Sequence, residues 1–193
     1  MKELYEIEKE FLGKYRKGNL SKDEINMMHA IIAGLNSKDP STQVGACIVD
    51  KDNNILSLGC NNNPKGWNKN DFPWGNDTKL GEENTKYPYI IHAEVNTIKN
   101  YKGLTKDLEG ATMYVTLFPC LPCAREIVTS GIKKLIYIDA RDNVPEYKMA
   151  RILLNKCGVE CIKFDELKEK ELKGIDINLN TNNVKELIKI KNK

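Results

Sequence analysis

Two histidines occur in the 193 residues, and one of them, His92, stands two positions before an acid, Glu94, in "YPYIIHAEVNTIKN". Alone the spacing carries little. A histidine near a helix start is more often a hydrogen-bonded structural residue, and a first-turn glutamate is more often a solvated acid favoured by the helix dipole. Cys120 and Cys123 change the reading, because with Pro119 they form P-C-x-x-C between a strand-like run and a helix-like run. Two thiolates on the first turn of a helix can share one metal ion, and the helix N-terminus favours their charge. With His92 as third ligand, the set describes a catalytic zinc with an open position. A structural zinc normally takes four protein ligands, and no second C-x-x-C pair or further nearby histidine is present. Glu94 then lies close enough to take a proton from the attacking water and pass it to a substrate nitrogen.

These four residues need two helix starts at one place. Leu4, Ile7, Phe11 and Tyr15 recur at helical spacing, as do Ile25, Met28, Ile32 and Leu35, so two helices are predicted before any strand. "VGACIVDKDNNILSLGCN" predicts an antiparallel hairpin about the turn at Asp52 to Asn54. Asn61 to Pro88, rich in Asn, Gly and Lys and holding Trp67 and Trp74, reads as a long functional loop. There follow a helix opened by "HAEVNTIKN", a strand "ATMYVTL", a helix opened by "PCLPCAREIVTSG", a strand "KKLIYID", a helix "EYKMARILLNKCG" and a strand "VECIKF". The alternation predicts an α/β chain, helices on both faces of a mixed sheet of about five strands. Helices side by side on one face would bring His92 and the cysteines to one edge. "IDINL" reads as an edge strand and "NVKELIKIKNK" as a terminal helix. Repeats and linkers are lacking, so one domain over 1–193 is expected.

An apolar fraction of 40% with 30% charged residues is ordinary for a soluble globular chain. The net charge of +3 comes from scattered lysines, with four arginines (Arg16, Arg125, Arg141 and Arg151), so a nucleic-acid-binding face is not expected. No run reaches membrane-spanning length, and the first twenty residues mix acids and bases where a signal peptide has an apolar run. No membrane association and a cytoplasmic location are expected. Of the six cysteines, Cys47, Cys60, Cys157 and Cys161 read as small buried hydrophobes.

H-A-E combined with P-C-x-x-C is the signature of zinc-dependent nucleobase deaminases. Beyond it, "SKDPSTQVGACIVD", "NPKGW", "TKYPYIIHAEVN", "MYVTLFPCLPCA" and "GIKKLIY" resemble, in order, the segments of the deoxycytidylate (dCMP) deaminases of the cytidine deaminase-like superfamily, over a core of about residues 24–164. The resemblance implies a three-layer α/β/α fold and hydrolysis of dCMP to dUMP and ammonia, supplying dUMP for thymidylate synthesis. It implies Zn2+ on His92, Cys120 and Cys123, with Glu94 as proton shuttle. Asn61 would touch the deoxyribose, Val44, Gly45 and Ala46 would wall the base, and the Ala93 N–H would meet the pyrimidine carbonyl. Thr42, Lys38, Lys65 and Lys69 are candidates for the phosphate. A homo-hexamer is implied, with dCTP and dTTP as effectors, accompanied by Mg2+, on a site involving Asn62, Asn63, Lys65 and Asn96.

Two departures from the family pattern stand out. The tyrosine usual soon after the "LIYID" strand is replaced by "ARDNVPEYKM", where Tyr147 comes late and Arg141 is a substitute for binding phosphate. The usual G-Y-N-G-x-P reads Gly59, Cys60, Asn61, Asn62, Asn63, Pro64. The alternatives are a cytidine, nucleoside or tRNA adenosine deaminase of the same superfamily, or a non-catalytic, zinc-stabilised nucleotide-binding protein.

Overall fold

The computed structural model describes residues 19–171. The predicted N-terminal helix through Leu4, Ile7, Phe11 and Tyr15, the edge strand at 175–179 and the terminal helix at 183–193 lie outside the described residues. The first described helix, α1 (Lys22–Gly34), opens on a reciprocal cap. The Ser21 hydroxyl accepts from the Glu24 N–H at 3.2 Å, and the Ser21 N–H donates to the Glu24 carboxylate at 2.7 Å.

Two antiparallel strands follow, β1 (Gly45–Val49) and β2 (Ile55–Cys60), joined by the expected turn. There Asn53 takes a left-handed φ of 69°, which asparagine tolerates, and the Asp50 carboxylate accepts the N–H groups of Asp52 and Asn54. Next come α2 (Ala93–Asn100), β3 (Thr112–Leu117), α3 (Leu121–Thr129), β4 (Lys134–Asp139), α4 (Pro145–Lys156), β5 (Glu160–Lys163) and α5 (Phe164–Glu171). The sheet order is β2-β1-β3-β4-β5, with β1 antiparallel to both neighbours and β3, β4 and β5 parallel.

Side chains alternate between two helical layers, as strand geometry requires. Ala46, Ile48, Met113, Val115, Leu135 and Tyr137 pack in one buried cluster with residues of α2, α3 and α4. Cys47, Val49, Tyr114, Ile136 and Ile138 face the other way onto Met27, Ala30 and Ile31 of α1 and onto Phe164. This is the expected three-layer α/β/α arrangement about a mixed five-stranded sheet.

Two local readings are corrected, and the helix predicted through Ile25, Met28, Ile32 and Leu35 forms but buries another side. The buried side of α1 carries Met27, Ala30, Ile31 and Gly34, whereas Ile25, Met28 and Ile32 are exposed. Ala30 and Gly34 sit where β1 runs very close: a Cβ on Gly45 would lie 1.9 Å from the Ala30 carbonyl. The last strand stops at Lys163, and Phe164 opens α5, its ring buried, with Asp165 and Glu166 in the first turn where the helix dipole favours acids. Cys157 and Cys161 are half-buried, while Cys47 and Cys60 are buried and burial pushes the Cys47 thiol up to about 12.

The long loop has its own small core. Trp67 packs edge-on against Phe72 and Tyr89 at 5.1 and 5.0 Å, and Phe72 lies 4.5 Å from Trp74. Paired backbone hydrogen bonds between Asn62 and Ile91, both 3.0 Å, close its base. Among the described residues no helix is long and apolar enough to cross a membrane.

Candidate active site

The registers Gly45–Cys60, Ala46–Val115 and Leu117–Asp139 place the start of β1 and the ends of β2, β3 and β4 at one edge of the sheet. Ligands of open α/β sheets gather at such an edge. Here it carries a cavity of about 320 Å³ lined from every segment that reaches it, among them Asp39, Thr42, Asn61, Lys86, His92 and Glu94.

His92 and Cys120 are the N-cap residues of α2 and α3, both with extended backbone and neither using its side chain as a cap. Pro122 sits in the first turn of α3, where its missing N–H costs nothing. His92 Nδ1 stands 3.3 Å from each of the two sulfurs, Cys120 Sγ and Cys123 Sγ. A tetrahedral zinc at ordinary bond lengths separates nitrogen and sulfur ligands by about 3.6 Å, so the donor set and its spacing fit that ion. This is the one such cluster among the described residues.

The charges around it are tightly linked. A hydrogen bond from the Cys123 thiol, helped by His92, holds Cys120 well below the ordinary thiol range. The thiolate so formed, together with burial, holds Cys123 up, and the Cys120 contact lifts His92 to about 9. The first proton is thus easily lost and the second is not, an imbalance that a divalent cation among the three donors removes by stabilising both thiolates. Glu94 is buried at 3% exposure, and burial raises its carboxyl above the ordinary value of 4.5, opposed by the charge on His92.

A family description, cytidine and deoxycytidylate deaminase zinc-binding region, matches residues 20–139. The chain belongs to the cytidine and deoxycytidylate deaminase family. It is 43% identical over 152 residues to the human protein named deoxycytidylate deaminase, covering 78% of this chain and 84% of that one. The deoxycytidylate deaminase of phage T4 is 29% identical over 183 residues, covering 77% and 93%. Among solved structures, the dCMP deaminase of cyanophage S-TIM5 in apo form superimposes with a TM-score of 0.55 at 26% identity, covering 74% of this chain and 96% of that one. Zinc is therefore the metal that this family's His, Cys, Cys cluster accepts.

Around the deaminase cluster, Thr42, Val44, Asn61 and Ala93 line the cavity. Gly45 and Ala46 do not: Gly45 lies against α1, donating its N–H to Thr116 Oγ1 at 3.1 Å, and Ala46 is in the core. Asn61 is held on all sides. Its Oδ1 accepts the Val44 N–H at 2.8 Å, and its Nδ2 donates to the Thr42 carbonyl at 2.9 Å and to Asp39 Oδ2 at 3.2 Å. Asn62, Asn63, Lys65 and Asn96 stand outside the lining; Asn96 fastens the Cys60 carbonyl at 2.8 Å, and Asn63 donates to the Trp67 carbonyl. Lys38, Lys65 and Lys69 are exposed and also outside it.

Arg141 and Tyr147 both reach the cavity. Tyr147 comes late in sequence, but the first turn of α4 returns it to the site, buried at 8% exposure, and burial lifts its hydroxyl to about 12. Sequence reasoning passed over Asp39 and Lys86. Their only local signal was position inside the motif segments "SKDPST" and "TKYPY".

Proposed function

We infer that this chain hydrolyses dCMP to dUMP and ammonia. The observation that carries the reading is the pairing of a three-donor zinc site with a buried acid, Glu94, in a nucleotide-sized cavity, in a chain 43% identical to a named deoxycytidylate deaminase. His92, Cys120 and Cys123 would hold the zinc, which when bound would lower the pKa of water and supply a nucleophile at neutral pH.

The chain's own residues do the rest. Glu94 takes the proton released as water adds to C4 and delivers it to N3; it then takes the proton of the new C4 hydroxyl and passes it to the amino group, so that the C4–N bond breaks, the C4 carbonyl forms and ammonia leaves. Burial suits Glu94 to this exchange, because a carboxyl held above its ordinary value takes up a proton more readily than a solvated one. The Ala93 N–H, at the start of α2, points its donor toward the pyrimidine carbonyl, and Val44 walls the base. Asn61 meets the deoxyribose, with one lone pair of Oδ1 still free once its bond to Val44 is counted. Arg141 and Thr42 are the lining groups suited to the phosphate.

The finer readings go with this one. The enzyme works in the cytoplasm as a homo-hexamer, and the exposed Ile25, Met28 and Ile32 of α1 and Met149 and Ile152 of α4 are apolar surface such an assembly would cover. A dCTP or dTTP effector with Mg2+ binds outside the cavity, near Asn62, Asn63, Lys65 and Asn96. Saturation curves for dCMP that superimpose with and without either triphosphate would remove that regulation.

The substrate is tested by incubating the zinc-loaded protein with dCMP, deoxycytidine and CMP and following ammonia. Release from dCMP far in excess of the other two is expected. Equal catalytic efficiency on dCMP and deoxycytidine overturns the assignment in favour of a nucleoside deaminase.

A further inference from the structure

The cavity wall contains a charged pair that the chemistry above does not use. Asp39 and Lys86 are 3% and 5% exposed, and the Lys86 ammonium donates to both carboxylate oxygens at 2.7 and 2.6 Å and to the Ser41 hydroxyl. Its three donors therefore all have acceptors within the protein. Asp39 is equally engaged. It accepts the N–H groups of Ser41 and Thr42 at 2.9 and 3.1 Å, the Ser41 hydroxyl at 2.9 Å and the Asn61 amide at 3.2 Å. Burial acts to raise the Asp39 carboxyl, but the bond from Lys86 and the two backbone donors outweigh it and hold the group ionised.

Stability is a poor explanation for such a pair, because taking two charges out of water costs about as much as their attraction returns. Geometry offers a better one. Asp39 fixes the turn through Thr42 and one hydrogen of the Asn61 amide. Asn61 in turn holds the Thr42 carbonyl and the Val44 N–H. Lys86 comes from the far end of the long loop, whose Tyr87 and Ile90 also line the cavity. Three stretches of wall, 39–44, Asn61 and 86–90, are thus registered on one ion pair. An anion entering the cavity meets the Lys86 charge already cancelled by a carboxylate at 2.6 Å.

We propose that Asp39 and Lys86 are positioning residues that set the wall of Thr42, Val44 and Asn61 against the sugar and base of the nucleotide, and that Lys86 is not a phosphate ligand. The proposal rests on the reading of dCMP as substrate. Its prediction is a loss shared by phosphorylated and unphosphorylated ligands.

The test uses zinc-loaded protein carrying Lys86→Met, and the double variant Asp39→Asn with Lys86→Met, which removes both charges and leaves no buried carboxylate alone should the single variant fold poorly. The readouts are KM and kcat for dCMP, Ki for deoxycytidine as a competing ligand, zinc content and thermal midpoint. In the folded, zinc-loaded double variant, KM for dCMP and Ki for deoxycytidine are expected to rise together by roughly tenfold or more, as misplacement of a binding wall does. Wild-type KM and Ki in that variant mean that the pair only holds the fold together, and overturn the proposal. A rise confined to dCMP overturns it in the other direction, by making Lys86 a phosphate ligand. Failure of the wild type to turn over dCMP is a separate result that removes the substrate reading.

Discussion

Replacing Glu94 by glutamine isolates the proton transfer from everything else the site does. The amide keeps the size of the side chain and its place at 3% exposure, so the cavity and the three metal donors should be retained. Stability should hold or rise slightly, because burial disfavours the ionised carboxyl and the amide carries no charge. What is lost is a group that accepts and returns a proton. General acid–base catalysis by one side chain is worth about 10²–10⁴ in rate. The upper end is expected, since the proposed mechanism has Glu94 serve both N3 and the leaving amine and no other group is free to replace it. The other carboxylate lining the cavity, Asp39, is held by Lys86 and two backbone N–H groups. A loss of about 10⁴ in kcat corresponds to about 5.4 kcal/mol of barrier. The assay is ammonia release from saturating dCMP, with zinc content and thermal unfolding measured on the same preparation. Turnover within tenfold of wild type in zinc-loaded Glu94→Gln would refute the assignment, and so would loss of zinc in step with activity, which would make Glu94 a support for the metal.

Cys120→Ser and His92→Ala each remove one of three donors, and metal analysis should find zinc content reduced well below one per chain; undiminished zinc removes the residue from the site. Gly45→Ala would place a Cβ 1.9 Å from the Ala30 carbonyl and 2.3 Å from the Gly34 nitrogen, both backbone atoms, so a loss of about 3 kcal/mol or more in denaturant unfolding is expected, and an unchanged midpoint would contradict this packing. Asp39 is held below its ordinary value of 3.8, so its share of stability is fully present above that pH and is lost as pH falls through the lower folded value. Acid unfolding followed by circular dichroism should therefore show a component below pH 4 that the Asp39→Asn, Lys86→Met double variant lacks, and identical profiles would contradict it.

The sheet was legible because its strands are short apolar runs bounded by turn residues, and its mixed character follows from an opening hairpin succeeded by helices that alternate with strands. Two features that the local pattern does not decide have one physical origin, tertiary contact. On α1 two sets recur at helical spacing, Ile25, Met28 and Ile32 on one side and Met27, Ala30, Ile31 and Gly34 on another, and the second set is buried. Periodicity alone does not choose between the two sets; the contact with β1 does, because Gly45 brings the two backbones almost together and needs Ala30 and Gly34 at the crossing. At Phe164 the alternation of "VECIKF" continues one residue too far. The ring is buried against the same face as Ile136 and Ile138, and that tertiary contact, not the local pattern, decides where the strand ends and α5 begins.

The candidate site divides along the same line. His92, Glu94, Cys120 and Cys123 are legible because metal and proton chemistry demand particular residue types, and local spacing puts each pair at one helix start. Tyr147 is discounted if distance is measured along the chain, but β4 ends at the site edge and the first turn of α4 folds back over it. Asp39 and Lys86 carry no such signature. Lysine and aspartate are common surface residues, and 47 positions separate these two. Their meaning arises only when the long loop, closed at its base by Asn62 and Ile91, returns Lys86 to the turn before β1. A site's reactive groups can thus be read from residue type and spacing, while the groups that hold its walls depend on closure of the chain and become visible only with the fold.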